Sequence, residues 1–455
     1  MSDIIKERFL PIKELNEEVY DILIHDKIEF HRLARFKKGV KQSLRRYKVG
    51  GLRAVFHNPN FKQIINRINT PSRKKKILYI TITPSFNLLR QSIYVRKNGN
   101  YETILLMESP WLLNLMERHF DAVYIYDTYY ELANILKEVK PYLVHVQGSI
   151  MGADFLCILV REFSKSRVIF EFYDVPSLSI SEKDSINFFG EETTKLGFFA
   201  EQFACKNAEG IILSYFNEAA EILKKQYDIK APILEFYSYP CVEFFEESSL
   251  NNKYSFKSKK INLIYTGALI PNSYPDNIYG NYKLFNVTDI LTKQNICLNI
   301  YTSPYMSKNK FSKLYKEYID LSNKLDGFKI YTGISPNHIS LEASKYDFGT
   351  IIFMFKYNNS LDMSNKIKIP TKFFAYLEAG LPIIISEEFE YASKLVREYE
   401  IGIVVSQKDM YNLSKIISAY DYKKLRNNVL SARNKLSIET HINRLLQFYE
   451  EVVKT

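Results

Sequence analysis

Lys372 carries the clearest chemical signal in this 455-residue chain. It stands in KIKIPTKFFAYLEAGLPIII, Lys366 to Ile385, where a cationic, proline-marked loop passes into an amphipathic run, a glycine–proline turn and an apolar strand. Pro370 and Thr371 suit a helix start, where proline is tolerated in the first turn and threonine can cap. The unpaired N–H groups and the positive end of the helix dipole at that point attract anions. A lysine there is electrostatically awkward alone, so Lys372 points to an anionic ligand such as a phosphate. Phe373, Tyr376 and Leu377 form the apolar stripe behind it. Two glycines follow predicted strands in the same half of the chain, Gly267 in YTGAL and Gly333 in IYTGIS. A glycine after a strand lets backbone approach a base or ribose, and it equally marks a plain tight turn.

Such loops are positioned by the strands ahead of them. The first is KILYITI, Lys76 to Ile82, and YETILLME, DAVYIYD, YLVHVQG, RVIFEFYD, EGIILSY and APILEFYSYP follow, with helical stretches such as TYYELANILKEVK between. Strands alternating with helices of this length predict βαβ units and a parallel sheet. The polar stretch EESSLNNKYSFKSKK, Glu246 to Lys260, reads as an interdomain linker. The rhythm then restarts with INLIYTGAL, ICLNIYTS, FKIYTGIS, FGTIIFMF, LPIIIS and IGIVVS, and the tail is helical. The expected organisation is a basic helical extension at 1–75, α/β domains at 76–250 and 251–425, and helices at 426–455. The fold class is α/β, with two Rossmann-like doubly wound domains facing a cleft. Ligands in open parallel sheets bind beyond the carboxyl ends of the strands, so the chemistry belongs in the loops that follow them.

The length suits two domains plus an extension. A net charge of +11 favours negatively charged partners. The charge is concentrated: Arg32 to Arg53 holds nine Lys or Arg and no Asp or Glu. Leu33, Phe36, Val40, Leu44 and Tyr47 recur there at helical spacing, a pattern that suits an acidic membrane surface and suits packing against the protein equally well. The run has few interleaved aromatics and no nucleic-acid motif accompanies it, so nucleic acid is a poor partner. Cys157, Cys205, Cys241 and Cys297 are scattered without CxxC or Cys/His spacing, which suits a reducing compartment and predicts no metal site. No apolar stretch is long enough to span a bilayer, and the N-terminus lacks a secretory apolar core. A cytoplasmic protein, peripheral to the inner face of the cell membrane if the basic run docks there, is the expectation.

KIPTKFFAYLEAGLPIIIS followed by ASKLVREYEIGIVVS resembles the nucleotide-sugar-binding half of GT-B glycosyltransferases. INLIYTGAL, FKIYTGIS and NAEGIILSY stand in the matching order, so the resemblance runs from about Lys76 to the end. It implies sugar transfer from a nucleotide-sugar donor to a glycan, lipid-linked or protein acceptor in bacterial surface-glycan or glycoconjugate synthesis. It implies no cofactor and no metal, an acceptor-side first domain, and terminal helices that cross back onto it. Gly267, Gly333, Thr371, Lys372 and Glu378 would surround the donor. Glu378 would be either a ribose contact or a helix-surface carboxylate. In EFYDVPS, Tyr173 stands where many members have histidine, and Asp174 remains as a candidate catalytic base, acceptor contact or loop residue. Arg90, Tyr173 and His145 are candidate phosphate or acceptor contacts; His145 is expected at the cleft end of its strand, where a histidine is more often structural than catalytic. Many retaining members carry two glutamates at the positions that Ile367 and Ala375 occupy here. That departure keeps two other functions in view, a catalytically silent scaffold or chaperone partnering another enzyme, and a sugar epimerase of the same fold.

Overall fold

Apolar runs bounded by helical stretches become strands that are buried on both faces, as parallel sheets covered by helices require. A computed structural model describes residues 61–148, 155–246, 250–302, 306–356 and 361–454. The first sheet contains β1 (Lys75–Thr81), β2 (Tyr101–Met107), β3 (Ala122–Ile125), β4 (Leu143–Gly148), β5 (Val168–Phe172), β6 (Gly210–Leu213) and β7 (Ile233–Glu235). Their spatial order is β3-β2-β1-β4-β5-β6-β7, and every pairing is parallel. The second sheet contains β8 (Ile261–Thr266), β9 (Ile296–Tyr301), β10 (Phe328–Tyr331), β11 (Phe348–Ile351), β12 (Ile383–Ser386) and β13 (Gly402–Val405). Its order is β10-β9-β8-β11-β12-β13, again all parallel. Both sheets are therefore doubly wound. Their strand order reverses at β1/β4 and at β8/β11, which makes the carboxyl ends of those pairs the natural ligand crevices.

Two segments differ from the expectation, and a third is not described. The basic run Arg32–Arg53 lies outside the described residues. The end of the expected extension does not stand apart: the helix Phe61–Asn69 buries Ile64 and Ile68 in the core of the first domain. The second half of the expected linker is folded. Tyr254–Ser258 is a helical turn, the Lys253 ammonium donates to Ser344 O at 2.9 Å and Tyr346 O at 2.6 Å, and Ser255 donates to Asp347 at 2.6 Å. Polarity signalled a linker because these side chains find buried polar partners that a sequence does not display.

The last helix, Ile438–Lys454, belongs to the first sheet. Ile438, Ile442, Leu445, Tyr449 and Val452 pack among Ile77, Tyr79 and Leu88, whereas the preceding helix Tyr422–Lys435 packs on the second domain. The chain thus crosses back over the cleft in its final turns. A buried polar chain locks this return. The Tyr449 hydroxyl lies 3.2 Å from the Tyr79 hydroxyl and 2.8 Å from His145 Nδ1, and His145 Nε2 lies 2.9 Å from Glu171 Oε2. Glu171 Oε1 accepts from Asn87 at 2.6 Å and Gln91 at 3.1 Å. His145 was expected at the cleft end of its strand. It instead sits inside β4, fully buried against the last helix, and its ring serves packing.

Removing the hydroxyl that joins Tyr79, His145 and the last helix leaves a buried imidazole nitrogen unpaired. Tyr449→Phe is expected to lower unfolding free energy by about 1–3 kcal/mol, read from a urea titration, with the helix and strand signal intact.

Candidate functional site at the domain junction

The helix Thr371–Glu378 is seated over the β8/β11 switch point by one phenol. Tyr376 accepts from the Thr266 N–H at 3.1 Å and donates to Thr350 O at 3.3 Å, joining the ends of β8 and β11. Its ring lies so close to β11 that a Cβ on Gly349 would fall 2.2 Å from it, so only glycine fits there. The helix start is thereby aimed at the loop after β8. Gly267 opens that loop with φ at +117°, a conformation that favours glycine, and its backbone lies beside the Lys372 stem. A Cβ at Gly267 would be 3.6 Å from Lys372 Cε.

Sequence had singled out Gly267 and Lys372 separately, and the fold brings them together. The Lys372 ammonium donates to the Tyr265 hydroxyl at 3.0 Å and lies 4.2 Å from the centre of that ring. Among the described residues no carboxylate pairs with it. Desolvation alone acts on it and pushes its pKa down to about 8. No side chain caps the helix, and its first turn carries no acid. A desolvated lysine beside uncapped N–H groups is a site shaped for an anion.

Lys368, four residues earlier, is satisfied where Lys372 is not. It forms an ion pair with Asp174, donates to Tyr173 O at 3.2 Å and lies 5.2 Å from the ring centres of Tyr173 and Tyr215. Burial opposes its charge, but Asp174 and the two phenols hold its pKa above the usual lysine value. The Thr371 side chain lies beside the Tyr173 phenol. Backbone follows the same line: Lys368 bridges Tyr215, and the Phe216 N–H donates to Ile367 O at 3.1 Å. Asp174, Tyr173, Thr371 and Lys368 therefore meet where the loop after β5 touches the loop before the helix. Lys368 lay inside the Lys366–Ile385 stretch but had no signal of its own, because its partner is 194 residues away.

Arg90 and Glu378 require correction. They were expected at opposite sides of the ligand, one on acceptor or phosphate and one on the donor. They are partners of each other. Arg90 Nε donates to Glu378 Oε1 at 2.8 Å and Nη2 to Oε2 at 2.7 Å, with side chains 2% and 1% exposed. The Cys241 N–H adds a third bond to Glu378 at 2.8 Å, and Arg90 lies over the Phe86 ring. The pair joins the helix Phe86–Lys97 of the first domain to the Thr371–Glu378 helix of the second. Gly333 also departs from expectation. It follows β10, the outer strand, beyond β9 from Gly267, and it does not adopt the positive φ that Gly267 shows.

Two doubly wound domains whose carboxyl strand ends meet across a junction, with the last helix returning to the first, form the GT-B fold. Solved structures agree. HepE of Anabaena in complex with UDP superimposes with a TM-score of 0.57 at 11% identity, covering 82% of this chain and 98% of that one. Sucrose-phosphate synthase of Thermosynechococcus elongatus gives 0.56 at 12% identity, covering 83% and 99%. MnaA of S. aureus with UDP gives 0.51 at 11% identity, covering 84% and 98%. Residues 292–448 match the family model described as glucosyltransferase 3-like, C-terminal domain, so the second domain is glycosyltransferase-like. No curated protein matches the chain by sequence. Among the described residues, no helix is long and apolar enough to cross a membrane.

Breaking the domain-joining ion pair from one side leaves a buried guanidinium alone. Glu378→Gln is expected to cost about 3–5 kcal/mol in a urea titration, whereas Arg90→Met with Glu378→Leu should recover most of that loss.

Proposed function

We propose that this chain is a glycosyltransferase that takes a sugar from a nucleoside diphosphate donor, with UDP-glucose the first donor to test. The observation that carries this is Lys372: a desolvated ammonium beside Gly267 and an uncapped helix start, with a phenol as its only side-chain partner among the described residues. The UDP bound to HepE and MnaA, and the glucose seen with UDP in a second HepE structure, support the choice of donor. The match of the second domain to a glucosyltransferase 3-like model supports the sugar.

In this mechanism the diphosphate settles against the Thr371 and Lys372 end of the helix. As the bond from the anomeric carbon to the diphosphate oxygen breaks, negative charge grows on that oxygen. Lys372 and the helix N–H groups stabilise it in place, without a metal ion. The acceptor hydroxyl attacks the anomeric carbon and gives its proton to Asp174, which Lys368 orients from across the junction. Tyr173 and Thr371 frame the acceptor side of that carboxylate. A glycan, lipid-linked or protein acceptor in surface-glycan or glycoconjugate synthesis fits this arrangement, in a cytoplasmic protein to which Arg32–Arg53 would recruit a membrane or a partner enzyme.

A second function is favoured by one observation. Ile367 and Ala375 stand where many retaining relatives carry glutamates, and Asp174 is already paired with Lys368. A catalytically silent partner of another transferase would keep the donor site and lose turnover. Nucleotide-sugar binding without transfer or hydrolysis would support it, and a new sugar released from donor alone would indicate an epimerase.

Lys372→Ala is expected to weaken UDP-glucose binding by about tenfold or more, measured by calorimetry, and unchanged affinity would remove Lys372 from the donor site. Asp174→Asn should lower transfer about 10²–10⁴-fold while leaving donor affinity nearly unchanged.

Donor affinity should also depend on pH. Free protein holds Lys372 charged below pH 8 and loses that proton above it, so the bound anion must draw a proton back. Affinity should be flat up to about pH 8 and then fall by up to about tenfold per pH unit, with proton uptake visible in buffers of different ionisation enthalpy.

A further inference from the structure

A second cationic feature lies at the opposite end of the first sheet. The turn from the helix Phe61–Asn69 into β1, and the turn that enters β4, line an open concavity of about 560 Å³. Its walls include Arg73, Lys74, Lys75, Lys76 and Lys140 against one acid, Glu138. It opens at the amino ends of β1 and β4, whereas the donor cleft opens at carboxyl ends, so the two are separate.

The walls are fixed by bonds that leave particular cations over. Asn69 clamps the two turns together, donating to Glu138 O at 2.7 Å and accepting from the Lys140 N–H at 3.2 Å. The Lys76 ammonium faces inward and donates to Arg67 O at 2.8 Å, to Ile68 O at 3.0 Å and to Thr70 O. Lys75 is paired with Glu450 at 2.6 Å, and Tyr142 donates to the same carboxylate. Lys75 and Lys76 are therefore structural. Arg73, Lys74 and Lys140 are exposed, and among the described residues none has an ion-pair partner. Three uncompensated cations converge on one concavity whose volume lies in the range of small-molecule sites. Arginine with two lysines is the set that takes phosphate oxygens, the guanidinium in a two-pronged contact and the ammonium groups as point charges.

We propose that this cavity is a second anion site, independent of the donor cleft, that binds a phosphate-bearing ligand through Arg73, Lys74 and Lys140. The shared chemistry is a phosphate ester, carried either by a soluble metabolite or by a lipid headgroup. The cavity is larger than a bare phosphate, so the group attached to the phosphate is accommodated as well.

The test uses the full chain carrying Lys372→Ala, so that the cleft does not contribute. Glycerol 3-phosphate binding is measured by calorimetry, and co-flotation with vesicles of phosphatidylglycerol and phosphatidylcholine is measured beside it. Replacing Arg73, Lys74 and Lys140 together by Ala should weaken glycerol 3-phosphate binding by about tenfold or more, or lower the vesicle-bound fraction below that of the same chain with the three cations intact, with the melting midpoint unchanged. Loss in the soluble arm alone assigns a metabolite phosphate, and loss in the vesicle arm alone assigns a headgroup. Absence of saturable binding in both arms, or equal binding by the triple variant, would overturn the proposal. Because the cleft lysine is already removed, this result is separate from the outcome for the donor site.

Discussion

The rest of the junction depends on the buried pair of Arg90 and Glu378. Two charges taken out of water are stabilising only when geometry is close to ideal and their remaining bonding capacity is met. Here the fork is bidentate, the Cys241 N–H adds a third bond to the carboxylate, and the Phe86 ring covers the guanidinium. The backbone of Glu378 is bonded too: its carbonyl accepts from the Glu246 N–H at 2.9 Å and from Arg433 at 3.2 Å. One residue thus holds the first domain, the connecting segment and the terminal helices around the end of the Thr371–Glu378 helix. With that end fixed, and Tyr376 fixing the middle, the angle of the helix start is set. Opening the domains would expose this pair, so the junction favours a narrow range of arrangements.

At the helix start the same physics gives two lysines opposite characters. Lys368 lies in the extended segment before the helix and Lys372 in its first turn, and both lose water. Lys368 gains Asp174 and two phenol rings and is held charged. Lys372 gains a phenol only, and burial depresses its pKa. A protein that keeps a depressed lysine beside a positive helix end accepts an electrostatic penalty in the empty state. An anionic ligand would remove that penalty on binding. Under the proposed function the two lysines have separate roles: Lys368 organises the Asp174 carboxylate, and Lys372 receives the donor.

Local features were legible in the sequence and pairings across domains were not. The strands showed as apolar runs because both faces of the inner ones are buried, and the helix start showed because proline, threonine and an ill-placed lysine fall within three residues. Gly267 showed because a strand end with positive φ favours glycine. Arg90 and Glu378 were noticed singly but assigned to ligands, since a charged residue in a cleft-lining segment looks the same whether it faces a substrate or a partner 288 residues away. His145 was misplaced for a related reason. Its strand is legible, but which face of the strand meets the last helix follows from a return of the chain over the cleft. The folded part of Glu246–Lys260 was hidden because Lys253 is polar by type and buried by context, and Ser255 is half-buried on Asp347.

The central claim is that Lys372 and the start of its helix receive the donor diphosphate. A crystal structure of the protein with UDP-glucose tests it most directly. The account predicts phosphate oxygens within hydrogen-bonding distance of Lys372 Nζ and of the Thr371 or Lys372 N–H, with Gly267 backbone against the ligand. A nucleotide bound with its diphosphate away from that helix end, and Lys372 still bonded only to Tyr265, would contradict it.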